Sequence, residues 1–181
     1  YDELDFLPIQ ENRIFNNCKI YCAGLYSKNL QKIIRGIKYH NQKDLAYFIA
    51  KFMYQYWEKL DIKEEFEIIP VPIFPKRKKQ RKYNHMELIA EEFSKLSGYE
   101  INTNLIKRIK DTKPQYKLKK AQRMLNLDKA FCVNKEGYNN KKLLIIDDIC
   151  TTGSTFEEMI RELNKSEIYD ITCLAATTPF D

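Results

Sequence analysis

Apolar and polar positions along the chain follow two alternating periods. From Cys18 to Tyr26 they alternate closely enough for a strand. From Asn29 to Tyr39, Leu30, Ile33, Ile34 and Ile37 then recur at helical spacing. Between Lys43 and Leu60 the apolar set Leu45, Phe48, Ile49, Phe52, Met53, Tyr56, Trp57 and Leu60 steps by threes and fours, predicting one long amphipathic helix with Trp57 in its core face. Phe66 to Val71 is a short apolar run ended by Pro70, Pro72 and Pro75, which stop strand pairing and hand the chain to a basic loop.

Met86, Ile89, Ala90, Phe93 and Leu96 form the next helical stripe, with Gly98 placed as its C-terminal cap. Leu105 to Ile109, Ala130 to Val133 and Leu143 to Ile146 read as strands, and Lys110 to Lys120, which has no apolar period, reads as a mobile loop. Ser154 to Leu163 is a helix with Phe156, Met159, Ile160 and Leu163 on one face, and Ile168 to Ala176 is the last strand. Strands alternating with helices imply a mainly parallel α/β sheet covered on both faces. With 181 residues the expectation is a single domain over residues 1–181. The first residue is Tyr1, not methionine, so residues 1–17 are read as the remnant of a longer N-terminal segment.

Charge changes this picture. The net charge is +6, yet Lys76 to Lys82 (KRKKQRK) carries six positive charges in seven residues, and Lys107 to Arg123 carries eight basic residues against Asp111. Those stretches hold +13, leaving −7 for the rest, so the chain is expected to present a basic surface to diphosphate, nucleotide or nucleic acid. The five cysteines fall at unrelated spacings without a CxxC pair, and CKIYCAGLY puts Cys18 and Cys22 on one face of a strand; reduced thiols and no zinc are expected. Nothing approaches the roughly 20 apolar residues that span a bilayer. The expectation is a cytoplasmic protein without membrane insertion.

The segment LLIIDDICTTGST, Leu143 to Thr155, carries the chemistry. A buried strand delivers Asp147 and Asp148 to the carboxyl edge of the sheet, where open α/β folds bind ligands. Adjacent carboxylates repel each other, and vicinal ribose hydroxyls with a nearby divalent cation would give them something to hold. Thr151, Thr152, Gly153, Ser154 and Thr155 then turn into a helix, so that backbone N–H groups and hydroxyls can converge on a phosphate at the helix N-terminus. Neither a Walker GK[ST] nor a GxGxxG is present.

This segment resembles the phosphoribosyl diphosphate motif of type I phosphoribosyltransferases. The wider pattern resembles the ComF family of competence-associated proteins, through GLYSKNLQKIIRGIKY, IIPVPIFPKRKKQRKYNH and TKPQYKLKKAQRMLNL. The resemblance implies a type I phosphoribosyltransferase fold with a basic mobile hood. It also implies that Asp147 and Asp148 hold the ribose hydroxyls and, indirectly, magnesium, while Thr151 to Thr155 hold the 5-phosphate. Lys76, Arg77, Arg81 and Asn84 would face diphosphate, and Gln115, Arg123 and Asn126 match a Q…R…N pattern in the mobile segment. Where family members often read RGFNQ this chain has Arg81, Lys82, Tyr83, Asn84 and His85, without the glycine and the glutamine. Many members begin with a four-cysteine zinc module that this chain lacks.

Two functions are expected from this. In the first, the protein binds phosphoribosyl diphosphate or a nucleotide with magnesium and handles single-stranded DNA during competence, with a competence helicase as a further partner. Tyr83 and Tyr116, interleaved with basic residues, would stack bases. The second is a metabolic transferase that moves ribose 5-phosphate to a nitrogen base. For that, no base-recognition signature follows the cradle, since Phe156 belongs to the helix core. His85, near a helix start, reads as a capping or surface residue.

Overall fold

The computed structural model describes residues 13–112 and 119–179, with the side chains of residues 120, 123, 124 and 126 excepted. Successive residues of the buried strands face opposite sides and divide the core in two. Leu144 and Ile146 of β7 (Lys142–Ile149) and Leu174 and Ala176 of β8 (Ile171–Thr178) face one apolar cluster; Leu143, Ile145, Cys173 and Ala175 face the other. Helices α1 (Lys28–Tyr39), α2 (Ala46–Lys59) and α4 (His85–Ser97) supply the first cluster. Helix α6 (Ser154–Lys165) and the antiparallel pair β5 (Ile106–Arg108) and β6 (Phe131–Val133) supply the second. A sheet buried on both sides needs unbroken apolar strands, and LLII is such a run.

The sheet order is β1-β2-β8-β7-β3-β4, with β1 (Arg13–Phe15), β2 (Cys18–Leu25), β3 (Phe66–Pro70) and β4 (Glu100–Ile101). All neighbours except β1 and β2 pair in parallel, which is the mainly parallel α/β architecture of the type I phosphoribosyltransferase fold. The carboxyl ends of β2, β8, β7 and β3 therefore meet at one edge. No helix of the described residues is long and apolar enough to cross a membrane.

Several boundaries differ from the sequence reading, each for a local reason. The run Lys76 to Lys82 is not a loop; residues Pro75–Arg81 form helix α3, opened by proline at the first turn. The segment from Lys43 splits into a 3₁₀ turn, Lys43–Leu45, followed by α2. Strand β7 runs on to Ile149, so both aspartates lie inside it, with Asp147 opposite Ala175 and Ile149 opposite Thr177. Ile168 belongs to the stop of α6, where its N–H bonds Leu163 O and that of Glu167, at φ 62°, bonds Asn164 O. Residues 13–15, read as part of a remnant, are an edge strand joined to β2 through Asn16 and Asn17, both left-handed, as a two-residue hairpin demands. Helix α5 (Lys120–Leu127) was not anticipated at all.

Candidate phosphate-binding site

The converging strand ends border a cleft of about 760 Å³, where Tyr26 follows β2, Val71 follows β3, Cys150 follows β7 and Pro179 follows β8. Residues Cys150 to Phe156 form its floor. Gly153 caps α6 with φ 83° and, being glycine, offers no side-chain acceptor of its own. A Cβ there would meet nothing closer than 3.8 Å, so the left-handed backbone, and not lack of room, calls for glycine. The hydroxyls of Thr152 and Ser154 lie 2.6 Å apart, and Ser154 N–H reaches Thr152 Oγ1 at 3.4 Å. What remains is a twelve-residue helix whose first turn opens onto the cleft, an arrangement that favours an anion. Arg13 Nη1 donates to Thr151 O at 3.0 Å and ties the edge strand to this turn.

Strand alternation starts the two carboxylates on opposite faces, yet they come back into contact with each other at the strand end. Asp148, with Leu144 and Ile146, leaves β7 on the side of α1 and α4; Asp147 leaves on the other. Each curls forward: Asp147 Oδ1 accepts the N–H of Asp148 at 2.8 Å and Asp148 Oδ1 that of Ile149 at 2.9 Å. Lys38 Nζ of α1 lies 2.5 Å from Asp148 Oδ2, and His85 Nε2 of α4 lies 3.3 Å from the same oxygen. Burial alone would raise the Asp148 carboxyl, but the Lys38 charge and the His85 contact outweigh it and hold the group well below the usual range. Burial and the neighbouring Asp148 charge push Asp147 well above it. His85 is buried and its affinity for a proton is lowered, first by desolvation; among the described residues neither of its ring nitrogens makes a well-aligned hydrogen bond.

Cations ring this pair. Arg35, Lys38, Arg77, Arg81 and Arg108 all line the cleft, five positive side chains around two carboxylates. Arg81 packs over the Tyr39 ring at 5.1 Å, and Arg77 donates to Thr112 O and pairs with Asp111 at 3.4 Å. Burial and the charge of Arg77 push Arg108 down to about 10.

The cleft thus brings together Asp147, Asp148, the five residues Thr151 to Thr155, Arg77 and Arg81. Lys76 is exposed on α3 and does not line it. Asn84 is corrected to a structural role: it is buried, its Oδ1 accepts Met86 N–H at 2.9 Å as the cap of α4, and its Nδ2 donates to Val71 O. Tyr83 is likewise buried, its hydroxyl donating to Ile37 O, which removes it from base stacking. Gln115 and Tyr116 lie outside the described residues, as does the side chain of Arg123 in α5. Lys38, Arg35 and Arg108 were not foreseen as site residues. His85 is neither cap nor surface; its place on the apolar stripe with Met86 and Ile89 was the available signal.

A magnesium ion gripped by both aspartates does not fit these residues. The two carboxyls touch, but Asp148 is engaged by Lys38 and His85, and among the described residues no three His, Cys, Asp or Glu converge as a metal centre.

Comparison with known proteins agrees with the fold. A phosphoribosyl transferase domain profile matches residues 87–177. Competence protein F of Haemophilus influenzae is 30% identical over 161 residues, covering 84% of this chain and 69% of the relative. DNA utilization protein YhgH of Salmonella typhi is 25% identical over 160 residues, with the same coverages, and competence protein ComFC of Bacillus subtilis is 22% identical over 151 residues, covering 83% and 57%.

Proposed function

The chain belongs to the ComF family of phosphoribosyltransferase-like proteins, and from that premise we propose that it binds the 5-phosphate of phosphoribosyl diphosphate or a nucleotide at Thr151 to Thr155 and serves single-stranded DNA handling in competence. One observation carries the small-ligand half: the first turn of α6, whose cap residue is a glycine, opens into a cleft with five cations. In this reading Asp147 and Asp148 accept ribose hydroxyls, Arg77 and Arg81 face the diphosphate, and magnesium belongs to the ligand's diphosphate. The names of relatives, a competence protein and a DNA utilization protein, support the second half. So do Lys76, Lys79 and Lys82, exposed beside the cleft, with a competence helicase as the expected protein partner.

Calorimetry with magnesium phosphoribosyl diphosphate tests the cradle. A Thr155→Asp variant should keep its fold, because an acidic first-turn residue suits the helix dipole, while repelling the phosphate. Wild-type protein without affinity, or a variant with full affinity, would move the phosphate elsewhere. Anisotropy of a labelled single-stranded oligonucleotide tests the DNA role, and no binding would leave transfer chemistry as the function.

That second reading, transfer of ribose 5-phosphate to a nitrogen base, draws on the wall beyond the cradle. Tyr26, Gln31 and Tyr39 offer aromatic and amide surface to a base. A C1–nitrogen bond would form as the C1–oxygen bond to diphosphate breaks, with Arg77 and Arg81 stabilising the departing charge. Diphosphate release over a panel of nitrogen bases checks it.

A further inference from the structure

Two adjacent carboxylates facing a ligand need a compensating charge, and of the five cations around them Lys38 is the one in ion-pair contact. Lys38 Nζ lies 2.5 Å from Asp148 Oδ2, with side-chain exposures of 20% and 7%. The lysine is held from several directions. Ile33, Ile34 and Ile37 bury the face of α1 beside it, Ser27 caps that helix, and Tyr83 donates its hydroxyl to the carbonyl of Ile37, the preceding residue. His85 closes the same carboxylate from α4 at 3.3 Å.

The oxygens are largely spoken for. Asp147 Oδ1 and Asp148 Oδ1 accept backbone N–H groups, and Asp148 Oδ2 faces Lys38 and His85. A divalent cation that demands near-octahedral oxygen ligands would have to displace Lys38 from Asp148 to be chelated by the pair, whereas a sugar hydroxyl, which donates one proton to one carboxylate, needs no such displacement.

We infer that Lys38 is the built-in counter-cation of the carboxylate pair, so that the ribosyl half of the site takes a pentose 5-phosphate without a divalent metal ion. This rests on the reading of Thr151 to Thr155 as the phosphate cradle. Lys38 acts through Asp148, as a positioning and charge-compensating residue. Metal then enters only with ligands that carry a diphosphate.

The experiment uses ribose 5-phosphate, which lacks the diphosphate that would import magnesium. Calorimetry on the wild-type chain in EDTA and in magnesium should give the same affinity. Lys38→Met should lose about tenfold or more in EDTA, because the buried Asp148 charge is left unpaired, and should recover part of it in magnesium. Manganese binding followed by electron paramagnetic resonance needs no sugar phosphate: it should be weak in the wild type and stronger in Lys38→Met. Wild-type binding that requires metal, or tight wild-type manganese binding, overturns the inference while leaving the cradle standing; neither result depends on the variant folding. Absence of ribose 5-phosphate binding in both buffers overturns the cradle reading and this inference with it.

Discussion

At the scale of single residues the two neighbouring aspartates are not equivalent. Asp148→Asn would strand the Lys38 ammonium in a pocket from which water is largely excluded. It should cost about 3–5 kcal/mol, the usual penalty for removing one partner of a buried pair. Asp147→Asn removes a group whose ionised form is already disfavoured, and stability at neutral pH should hold or rise. Urea unfolding of both variants at pH 7 checks this contrast; equal losses would refute it. His85 adds a pH signature. Its folded pKa is depressed by burial, so below the unfolded value of about 6.5 the unfolded chain takes up a proton that the folded chain refuses, and stability falls as the medium is acidified. Asp147 acts in the opposite sense, destabilising as pH rises through its raised pKa. The pH-dependent part of the difference between wild-type and His85→Gln stability isolates the histidine, and it should level off to a constant above about pH 7. The pair Asp147 and Asp148 was legible as chemistry because two charges at the end of LLII have no packing role. Lys38 was not, since a lysine four residues after Ile34 looks like a solvated edge until the opposing strand is in place.

At the scale of elements, strong amphipathic periods were readable and short, non-local or charged elements were not. Helices α1, α2, α4 and α6 each declare an apolar face, and Gly98 at φ 78° ends α4 where the sequence put it. Strand β4, two residues long, exists only through pairing with β3. Helix α3 was hidden by its charge, although proline followed by lysine, arginine and glutamine is a run of good helix formers. Once helical, its basic run sorts by spacing: Arg77 and Arg81, four apart, turn into the cleft, while Lys76, Lys78 and Lys79 face solvent. The helix ends at Lys82 with φ 68°, the position where the ComF pattern often has glycine. Here a lysine holds a left-handed backbone that glycine would adopt without strain. Lys82→Gly should relieve this strain and, after the added freedom of the unfolded glycine, raise stability by roughly 0.5–1 kcal/mol, visible as a higher melting temperature. A destabilised variant would mean that the lysine side chain contributes contacts that outweigh the strain.

Across the whole molecule, the basic charge divides into two populations with different work to do. Arg35, Lys38, Arg77, Arg81 and Arg108 face a cleft sized for a sugar phosphate, and they bear on a small ligand. Lys76, Lys79 and Lys82 are exposed on and just after α3, outside the lining, where an extended polyanion could run past the cleft mouth. If single-stranded DNA follows that surface, its affinity should fall steeply with salt, by a log–log slope of about −0.7 for each phosphate neutralised. Replacing the three lysines by glutamine should make that slope shallower by about 2, which the anisotropy titration reads directly at several salt concentrations. The same triple variant should bind phosphoribosyl diphosphate with unchanged affinity, because none of the three side chains lines the cleft. Arg77→Gln with Arg81→Gln should do the reverse, weakening the small ligand more than the DNA. A triple variant with an unaltered salt slope would remove α3 from the DNA path and direct the search to the basic residues between Lys107 and Arg123. Parallel losses of both ligands in every variant would mean instead that DNA and phosphoribosyl diphosphate share the cleft cations.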